Sequence, residues 1–235
     1  MKKSPRLLLP LFTLALILLA GSLYAQTPGP SDPTPSATAA GAAKVYCAGS
    51  VITLTGPQDA TATPVADYAV YHWYKLDASN NPVLVAGQTG KTYTETSTTA
   101  GYYNYKLVTE NANGCLSPVS TVLQVYVLPP LSTTISTTAA SLCAGTSPTP
   151  TLTANPTPAT PYALHYAWTK TIGGSTTTVG TDSPTYTVAA ADAATAQTIT
   201  YGVTVSYGLN ATCTATASQV ITVNPLPTQP TITAN

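Results

Sequence analysis

The sequence predicts an all-β chain that is built from two related modules. Short apolar runs alternate with polar residues at the period of a β-strand, so that Tyr103, Tyr105 and Leu107 fall on one strand face. The 235 residues include 21 prolines and 15 glycines, which interrupt these runs and leave little room for long helices. The same landmark residues also occur twice along the chain, in the same order. Together these observations indicate a tandem of two modules made of short strands.

Cysteine and tryptophan provide the first landmarks of the repeat. The phrase Cys-Ala-Gly begins at Cys47 and again at Cys143, and a strand-like run follows in both places. Trp73 follows the first of these cysteines at nearly the same interval as Trp168 follows the second. We therefore expect Trp73 and Trp168 to be equivalent core residues of the two modules.

Tyrosine and a second cysteine provide the remaining landmarks. Tyr103 precedes Cys115 by the same interval as Tyr201 precedes Cys213. Both tyrosines lie in alternating runs that are typical of strands. We expect Tyr103 and Tyr201 to be equivalent core residues on the strand that faces the tryptophan strand.

The repeat divides the chain into a first module, residues 44–128, and a second module, residues 131–224. About seven short strands around one central tryptophan are typical of an immunoglobulin-like antiparallel β-sandwich. A jelly roll that spans both repeats is the alternative, but it does not explain a duplicated tryptophan and cysteine pair. The proline-rich joint at 128–131 predicts two modules that share little surface and unfold separately.

The N-terminus has the pattern of a secretory signal peptide. Residues 1–25 combine a basic start, an apolar run and small residues before the expected cleavage site. Residues 26–43 are rich in Pro, Ser, Thr and Ala, and we expect them to form a flexible leader. Removal of the signal leaves five lysines against eight Asp and Glu residues, a net charge of about −3. This balance argues against binding to nucleic acid or to an anionic membrane surface. No second long apolar run follows the signal, so we expect no insertion into a membrane after cleavage.

The repeated motifs resemble the tandem Ig-like and PKD-like modules of large secreted proteins of gliding Bacteroidetes-type bacteria. They comprise Cys-Ala-Gly before a strand, a Tyr/Trp strand, an alternating Tyr strand, Asn-Gly-Cys and a last strand that closes on prolines. The resemblance covers residues 44–227. It implies spacer or adhesive modules of a surface protein that uses the type IX secretion route. The YxWDFGDG-like signature of PKD domains is missing, since Tyr-Lys-Leu-Asp follows Trp73.

The four cysteines are expected to form disulfides, because a signal peptide directs the chain to an oxidising compartment and no CxxC motif is present. Module symmetry favours Cys47 with Cys115 and Cys143 with Cys213. Simple sandwich geometry, however, could place the two members of each pair at opposite ends of a module, too far apart to bond. Either the first strand or the loop after Asn-Gly-Cys brings them together, or the thiols stay free.

No other residues form a recognisable active site. His72 and His165 occupy different positions relative to the tryptophans and lack neighbouring ligands at metal-binding spacing, so we interpret them as surface residues of strands. No paired carboxylates, G-x-S-x-G motif or glycine-rich phosphate loop appears. The sequence therefore predicts no enzyme, no cofactor and no metal. The many tyrosines leave a sugar-stacking platform as a further possibility, which would involve Tyr71, Trp73, Tyr74, Tyr102, Tyr103 and Tyr105.

These observations favour a non-enzymatic extracellular spacer or adhesive stalk whose partner is an unknown protein or glycan at the cell surface. The alternative is a pair of carbohydrate-binding modules attached to a secreted polysaccharide-degrading enzyme. Residues 225–235 repeat the joint and the opening strand of the second module. We therefore expect them to be a linker and the first strand of a missing third module.

Overall fold

The computed structural model describes Pro30, residues 36–146 and residues 149–233. The predicted signal peptide, half of the leader and the last two residues lie outside this part of the chain. All regular elements in the described residues are strands or short turns, which confirms the predicted all-β class.

The first module contains nine strands. A five-stranded sheet has the order β1-β9-β8-β5-β6, and β2 and β7 form a two-stranded sheet opposite it. The two remaining strands, β3 and β4, form a small separate hairpin. The strands are β1 Lys44–Tyr46, β2 Val51–Thr55, β3 Gln58–Asp59, β4 Ala66–Asp67, β5 Val70–Leu76, β6 Pro82–Leu84, β7 Thr92–Thr96, β8 Gly101–Glu110 and β9 Leu123–Val127.

The second module contains eight strands and repeats this arrangement. A five-stranded sheet has the order β11-β17-β16-β13-β14, and a three-stranded sheet has the order β10-β12-β15. The strands are β10 Ser132–Thr137, β11 Ser141–Cys143, β12 Thr151–Thr157, β13 Leu164–Ile172, β14 Ser175–Val179, β15 Thr185–Thr187, β16 Gln197–Tyr207 and β17 Asn210–Asn224.

Each module is a sandwich because the two sheets enclose one apolar core. In the first module, Ile52 and Leu54 from the small sheet pack in the same cluster as Trp73 and Tyr103 from the large sheet. In the second, Leu152 of β12 packs in the same cluster as residues of β13, β16 and β17. Alternation along β16 buries every second residue, as expected for a strand with one face in the core. The chain is therefore a tandem of two immunoglobulin-like sandwiches.

The two tryptophans occupy the same place in the two cores. Trp73 and Trp168 are buried, and each indole Nε1 donates a hydrogen bond to a backbone carbonyl, that of Gly90 (2.9 Å) or Ser183 (2.8 Å). A buried indole N–H needs such a partner, because an unpaired polar group in an apolar core destabilises the fold.

The tyrosines that occupy equivalent positions in the two modules are not the pair that the sequence predicted. Tyr103 and Tyr201 are both buried, but they are not equivalent. Tyr201 lies opposite Lys170, two residues after Trp168, whereas the residue opposite Lys75, two residues after Trp73, is Tyr105. The prediction was off by two residues because the hairpins after β8 and β16 have different lengths, so the interval to the next cysteine does not preserve register.

The repeated Cys-Ala-Gly phrase forms a tight turn in both modules. The amide and hydroxyl of Ser50 donate to the Cys47 carbonyl (3.0 and 2.8 Å), and Thr146 makes the same two bonds to Cys143 (3.1 and 2.6 Å). Glycine is needed at the third position because its φ is +78° at Gly49 and +75° at Gly145, as in a type II turn.

One strand pair in each module is parallel. β1 runs parallel to β9, and β11 runs parallel to β17, while the other pairs are antiparallel. As a result, the cysteine turn that follows β1 or β11 lies at the end of the sandwich where β9 or β17 finishes. The parallel pairing therefore determines at which end of each module Cys47 and Cys143 lie.

The last part of the leader is folded, which corrects the prediction of a flexible segment for residues 36–43. Ala39 is buried, and the amide of Ser36 donates to the Tyr126 hydroxyl (2.9 Å). The Tyr102 hydroxyl donates to Ser36 Oγ (3.0 Å), and the amide of Ala43 donates to the Gln124 carbonyl (2.7 Å). Small residues allow this segment to lie close against the sheet, a packing role that composition alone does not reveal.

Residues 225–233 form no strand, and Ile232 is 97% exposed. Their assignment to a third module stays a prediction.

We predict that replacement of Trp168 by alanine lowers the free energy of unfolding by about 3–5 kcal/mol, because the cavity cannot close around the missing indole. Trp73→Ala should have a similar effect on the first module. Urea unfolding measured by circular dichroism tests this, with Thr177→Ala on the exposed face of β14 as the control. An unchanged midpoint for both tryptophan variants would contradict the assignment of these residues to the core.

Candidate functional site

The joint between the modules is a buried apolar cluster. It contains residues from both modules and from the end of the leader, and Tyr126, Leu128 and Tyr207 within it are fully buried. The structure therefore corrects the expectation that the modules share little surface. The linker between the modules contains Pro129 and Pro130, whose fixed φ angles restrict its backbone. The buried members of the cluster are Ala39, Tyr102, Tyr126, Leu128, Tyr162, Tyr207 and Cys213.

Aromatic rings from both modules form the centre of this joint. Tyr102 and Tyr126 pack against each other on the first module, with ring centroids 4.8 Å apart. Tyr162 and Tyr207 form an edge-to-face pair on the second module, with centroids 5.0 Å apart. The hydroxyls of Tyr126 and Tyr162 lie 3.0 Å apart, which links the two pairs by a hydrogen bond. Rigid aromatic side chains of this kind bury area at a low entropic cost.

Two further hydrogen bonds cross the joint. The Tyr207 hydroxyl donates to the Pro129 carbonyl (3.1 Å), and Asn210 Nδ2 donates to the Val45 carbonyl (2.9 Å). Both acceptors are backbone carbonyls, so the bonds fix the orientation of the second module against the backbone of the first and of the linker. The β16–β17 hairpin of the second module thus contacts two different segments, the linker and β1.

A disulfide closes the same joint. Cys47 of the first module is bonded to Cys213 of the second, with a Cα–Cα distance of 5.3 Å and a sequence separation of 166 residues. The predicted pairs, Cys47 with Cys115 and Cys143 with Cys213, are therefore wrong. Cys115 and Cys143 are free and exposed.

Strand geometry explains why no disulfide forms within a module. Cys143 lies opposite Asn224 at the end of β17, whereas Cys213 lies near the start of that strand. At ~3.3 Å per residue the two cysteines are roughly 35 Å apart, far beyond the ~7 Å between Cα atoms that a disulfide tolerates. The first module has the same arrangement. Module symmetry predicted two pairs, neither of which forms, and two of the four cysteines that it paired are free.

Each module also contains a partly buried ion pair that the sequence analysis missed. Lys75 Nζ donates to Glu95 Oε2 (2.8 Å), and Lys170 Nζ donates to Asp192 Oδ1 (2.5 Å). The same carboxylates accept hydrogen bonds from the hydroxyls of Tyr105 and Tyr201. A sequence signal for these sites exists, because Lys follows two residues after Trp in both modules.

Burial raises the pKa of several tyrosines in the cores and of some in the joint. It raises the pKa of Tyr105 and Tyr201 well above the ordinary value, and the nearby carboxylates Glu95 and Asp192 raise it further. Burial, with a smaller effect from Tyr126, raises the pKa of Tyr207 to about 12. These tyrosines therefore stay protonated and donate hydrogen bonds as neutral hydroxyls.

The proposed sugar-stacking platform is not assembled on the surface. Tyr71, Trp73, Tyr103 and Tyr105 are core residues, and Tyr102 belongs to the joint. Tyr74 is half-buried, and no tyrosine or tryptophan of the described chain is fully exposed.

The two histidines each pair with one carboxylate. His72 Nε2 lies 3.1 Å from Glu110 Oε2, and His165 Nδ1 lies 2.6 Å from Asp182 Oδ2. The hydrogen bond from His165 lowers the pKa of Asp182. Within the described residues no group of three or more His, Cys, Asp or Glu side chains is placed to hold a metal ion.

In the described part of the chain, no helix is long and apolar enough to cross a membrane.

No protein-family model matches the sequence, and no curated protein matches it. Solved structures with similar folds include the following three. The fibronectin(III)-like modules of Clostridium thermocellum CbhA share 18% identity, over 82% of this chain and 96% of that one, with a TM-score of 0.43. The three N-terminal domains of the bacteriophage RB49 highly immunogenic outer capsid protein share 23% identity, over 76% of this chain and 56% of that one, with a TM-score of 0.35. The N-terminal four Ig domains of Dscam1 isoform 9.44 share 15% identity, over 80% of this chain and 44% of that one, with a TM-score of 0.31.

These likenesses define neither a family nor a function. The strand order and the cores of the chain itself define its fold.

We predict that the double variant Cys47→Ser with Cys213→Ser loses up to about 5 kcal/mol of stability, because the bond closes a loop of 166 residues in the unfolded chain. Urea unfolding of the variant and of the wild type measures the loss. The control is Cys115→Ser with Cys143→Ser, which removes two thiols without opening a loop. An equal loss in both double variants would contradict the assignment of the bond to Cys47 and Cys213.

We also predict that alkaline unfolding is cooperative. The raised pKa values mean that the folded chain holds its tyrosine protons more tightly than the unfolded chain, whose tyrosines titrate near pH 10. The resulting stabilisation is complete below about pH 10 and is lost as the pH rises through the folded pKa values, about 12 for Tyr207. Absorbance at 295 nm should therefore rise steeply together with the loss of circular dichroism. Smooth titration near pH 10 of the six buried tyrosines whose pKa is raised, in a chain that stays folded, would contradict this; they are Tyr93, Tyr103, Tyr105, Tyr162, Tyr201 and Tyr207.

Proposed function

We propose that the chain is a non-enzymatic extracellular spacer that holds two sandwich modules at a fixed angle and distance. The observation that carries this proposal is the joint, which combines a buried aromatic cluster with a disulfide between the modules. A flexible tether would need neither. A fixed joint is what a stalk requires when it presents a neighbouring segment or binding surface at a defined distance.

The two parts of the joint act in different ways. The cluster stabilises one orientation of the modules, because rotation would expose Tyr126 and Tyr207 to water at a cost that grows with apolar area. The disulfide limits separation even if the cluster opens. A stalk under tension benefits from this order, since the non-covalent contacts can yield while the covalent bond keeps the modules together.

The disulfide also supports an extracellular location, because such bonds persist in oxidising compartments. The signal peptide expected at residues 1–25 agrees with export. We infer that any partner is a protein or glycan at the cell surface. The alternative of a carbohydrate-binding pair has less support, since the aromatic residues that would stack on sugar rings lie in the cores and in the joint.

Residual dipolar couplings test the fixed joint. We predict that amides of both modules in the wild type fit a single alignment tensor, because the modules tumble as one body. In the triple variant Cys47→Ser, Cys213→Ser and Tyr207→Ala, the modules should need two separate tensors while each keeps its own fold.

The control variant is Cys115→Ser with Cys143→Ser, which leaves the joint intact and should behave as the wild type. Two independent tensors in the wild type would overturn the proposal, because a spacer with a mobile joint defines no distance. A single tensor in the triple variant would show that the joint residues named here do not fix the orientation.

A further inference from the structure

The two free thiols occupy the same positions in their modules as the two bonded cysteines. Cys143 opens the same turn as Cys47, with the same pair of hydrogen bonds from Thr146 and Ser50. The glycine after each turn cysteine also donates its amide to an equivalent loop, Gly49 to the Ser97 carbonyl (2.8 Å) and Gly145 to the Ala193 carbonyl (2.8 Å). Cys143 is therefore a second copy of the turn half of the disulfide.

Cys115 occupies the same position in the first module as Cys213, the hairpin cysteine of the disulfide, occupies in the second. Cys115 directly precedes Leu116, which bridges to Glu110, and Cys213 directly precedes Thr214, which pairs with Ser206. Glu110 lies opposite Val70, and Ser206 lies opposite His165. Val70 and His165 each precede the tryptophan of their module by three residues. Both hairpin cysteines thus occupy the same register.

The free cysteines lie at the two ends of the molecule that the disulfide does not join. The observed disulfide connects the turn end of the first module to the hairpin end of the second. Cys115 lies at the hairpin end of the first module, and Cys143 at the turn end of the second, so the two thiols are at opposite ends of the molecule. Both are exposed, and the distance along the two sandwiches rules out a bond between them within one chain.

We propose that Cys143 and Cys115 are the open halves of the same type of disulfide. Cys143 accepts the hairpin cysteine of another module of this kind, and between copies of this chain that cysteine is Cys115. The contact is heterologous, so each added copy leaves one new free end and the product is an open chain of copies joined head to tail. This inference depends on the equivalence of the cysteines and goes beyond the spacer function.

The bond forms by thiol–disulfide exchange with a small-molecule disulfide such as oxidised glutathione. The Cys143 thiolate attacks one sulfur of the small disulfide and releases one small thiol. The Cys115 thiolate of the second copy then attacks Cys143 in this mixed disulfide and releases the other. The two protein thiols are oxidised to the disulfide, the small disulfide is reduced to two small thiols, and the two protons of the protein thiols end on these small thiols.

The free ends lack the aromatic residues of the joint. Thr198 and Thr222 form the strand pair that corresponds to Tyr102 and Tyr126. At the hairpin end of the first module, Asn111 takes the place of Tyr207. The bond between copies therefore has no apolar cluster to support it. We expect the copies to be joined covalently and to separate fully on reduction.

The test uses the full chain, purified with its disulfide between Cys47 and Cys213 intact, in a glutathione redox buffer. The samples are the wild type, Cys115→Ser alone, Cys143→Ser alone and an equal mixture of the two variants. Non-reducing gels report the size of the products, and mass spectrometry of peptides identifies the bonded cysteines. Mapping of the bond between Cys47 and Cys213 in every sample serves as the control for correct folding.

The wild type should form a ladder of oligomers that collapses to monomer on reduction. Each single variant should stay largely monomeric, and the mixture should stop at a dimer that is bonded between Cys143 and Cys115. Random oxidation of exposed thiols would make such mixed dimers only about half of all dimers in the mixture. Homodimers of the two variants that together are as abundant as the mixed dimer, or monomer alone in every sample, would overturn the proposal.

Discussion

The parallel pairing of β1 with β9 is the constraint on which the rest of the molecule depends. It sends the short first strand toward the end of the sandwich where the last strand also finishes, and so it places Cys47 at the joint. A cysteine there cannot reach the hairpin of its own module, but it lies beside the hairpin of the next one. The parallel pair β11 and β17 repeats the geometry in the second module. Connection between modules therefore follows from one feature of strand direction.

The cores and the joint use tyrosine in different ways. In the cores, Tyr105 and Tyr201 donate to carboxylates that are already paired with lysines, so a buried charge has partners on more than one side. Breaking such a pair is costly because it leaves an unpaired charge in an apolar medium. In the joint, the hydroxyls of Tyr126 and Tyr162 bond to each other, and no charge is involved. The joint can therefore open without stranding a buried ion.

The sequence predicted the fold class, the duplication and the burial of the tryptophans because these depend on local alternation and on landmarks such as Trp73. It did not predict the disulfide, since the spacing of cysteines along the chain contains no information on strand direction. The equivalence of Tyr103 and Tyr201 failed for a related reason: an interval that crosses a hairpin changes when the hairpin changes length. The folded leader was missed because Ala39 packs through shape, and small residues have no hydrophobic pattern to detect.

Connectivity and stiffness are encoded by different residues in this chain. The cysteines and their turns repeat in both modules, so either module has the means to bond to a neighbour at each end. Tyr126 and Tyr207 lie where the two modules meet, and Thr222 and Asn111 take the corresponding positions at the outer ends. A joint becomes rigid only where both sets of residues are present. The rigidity of any module array of this kind can therefore vary from joint to joint, even where its cysteines are the same, according to which residues surround each disulfide.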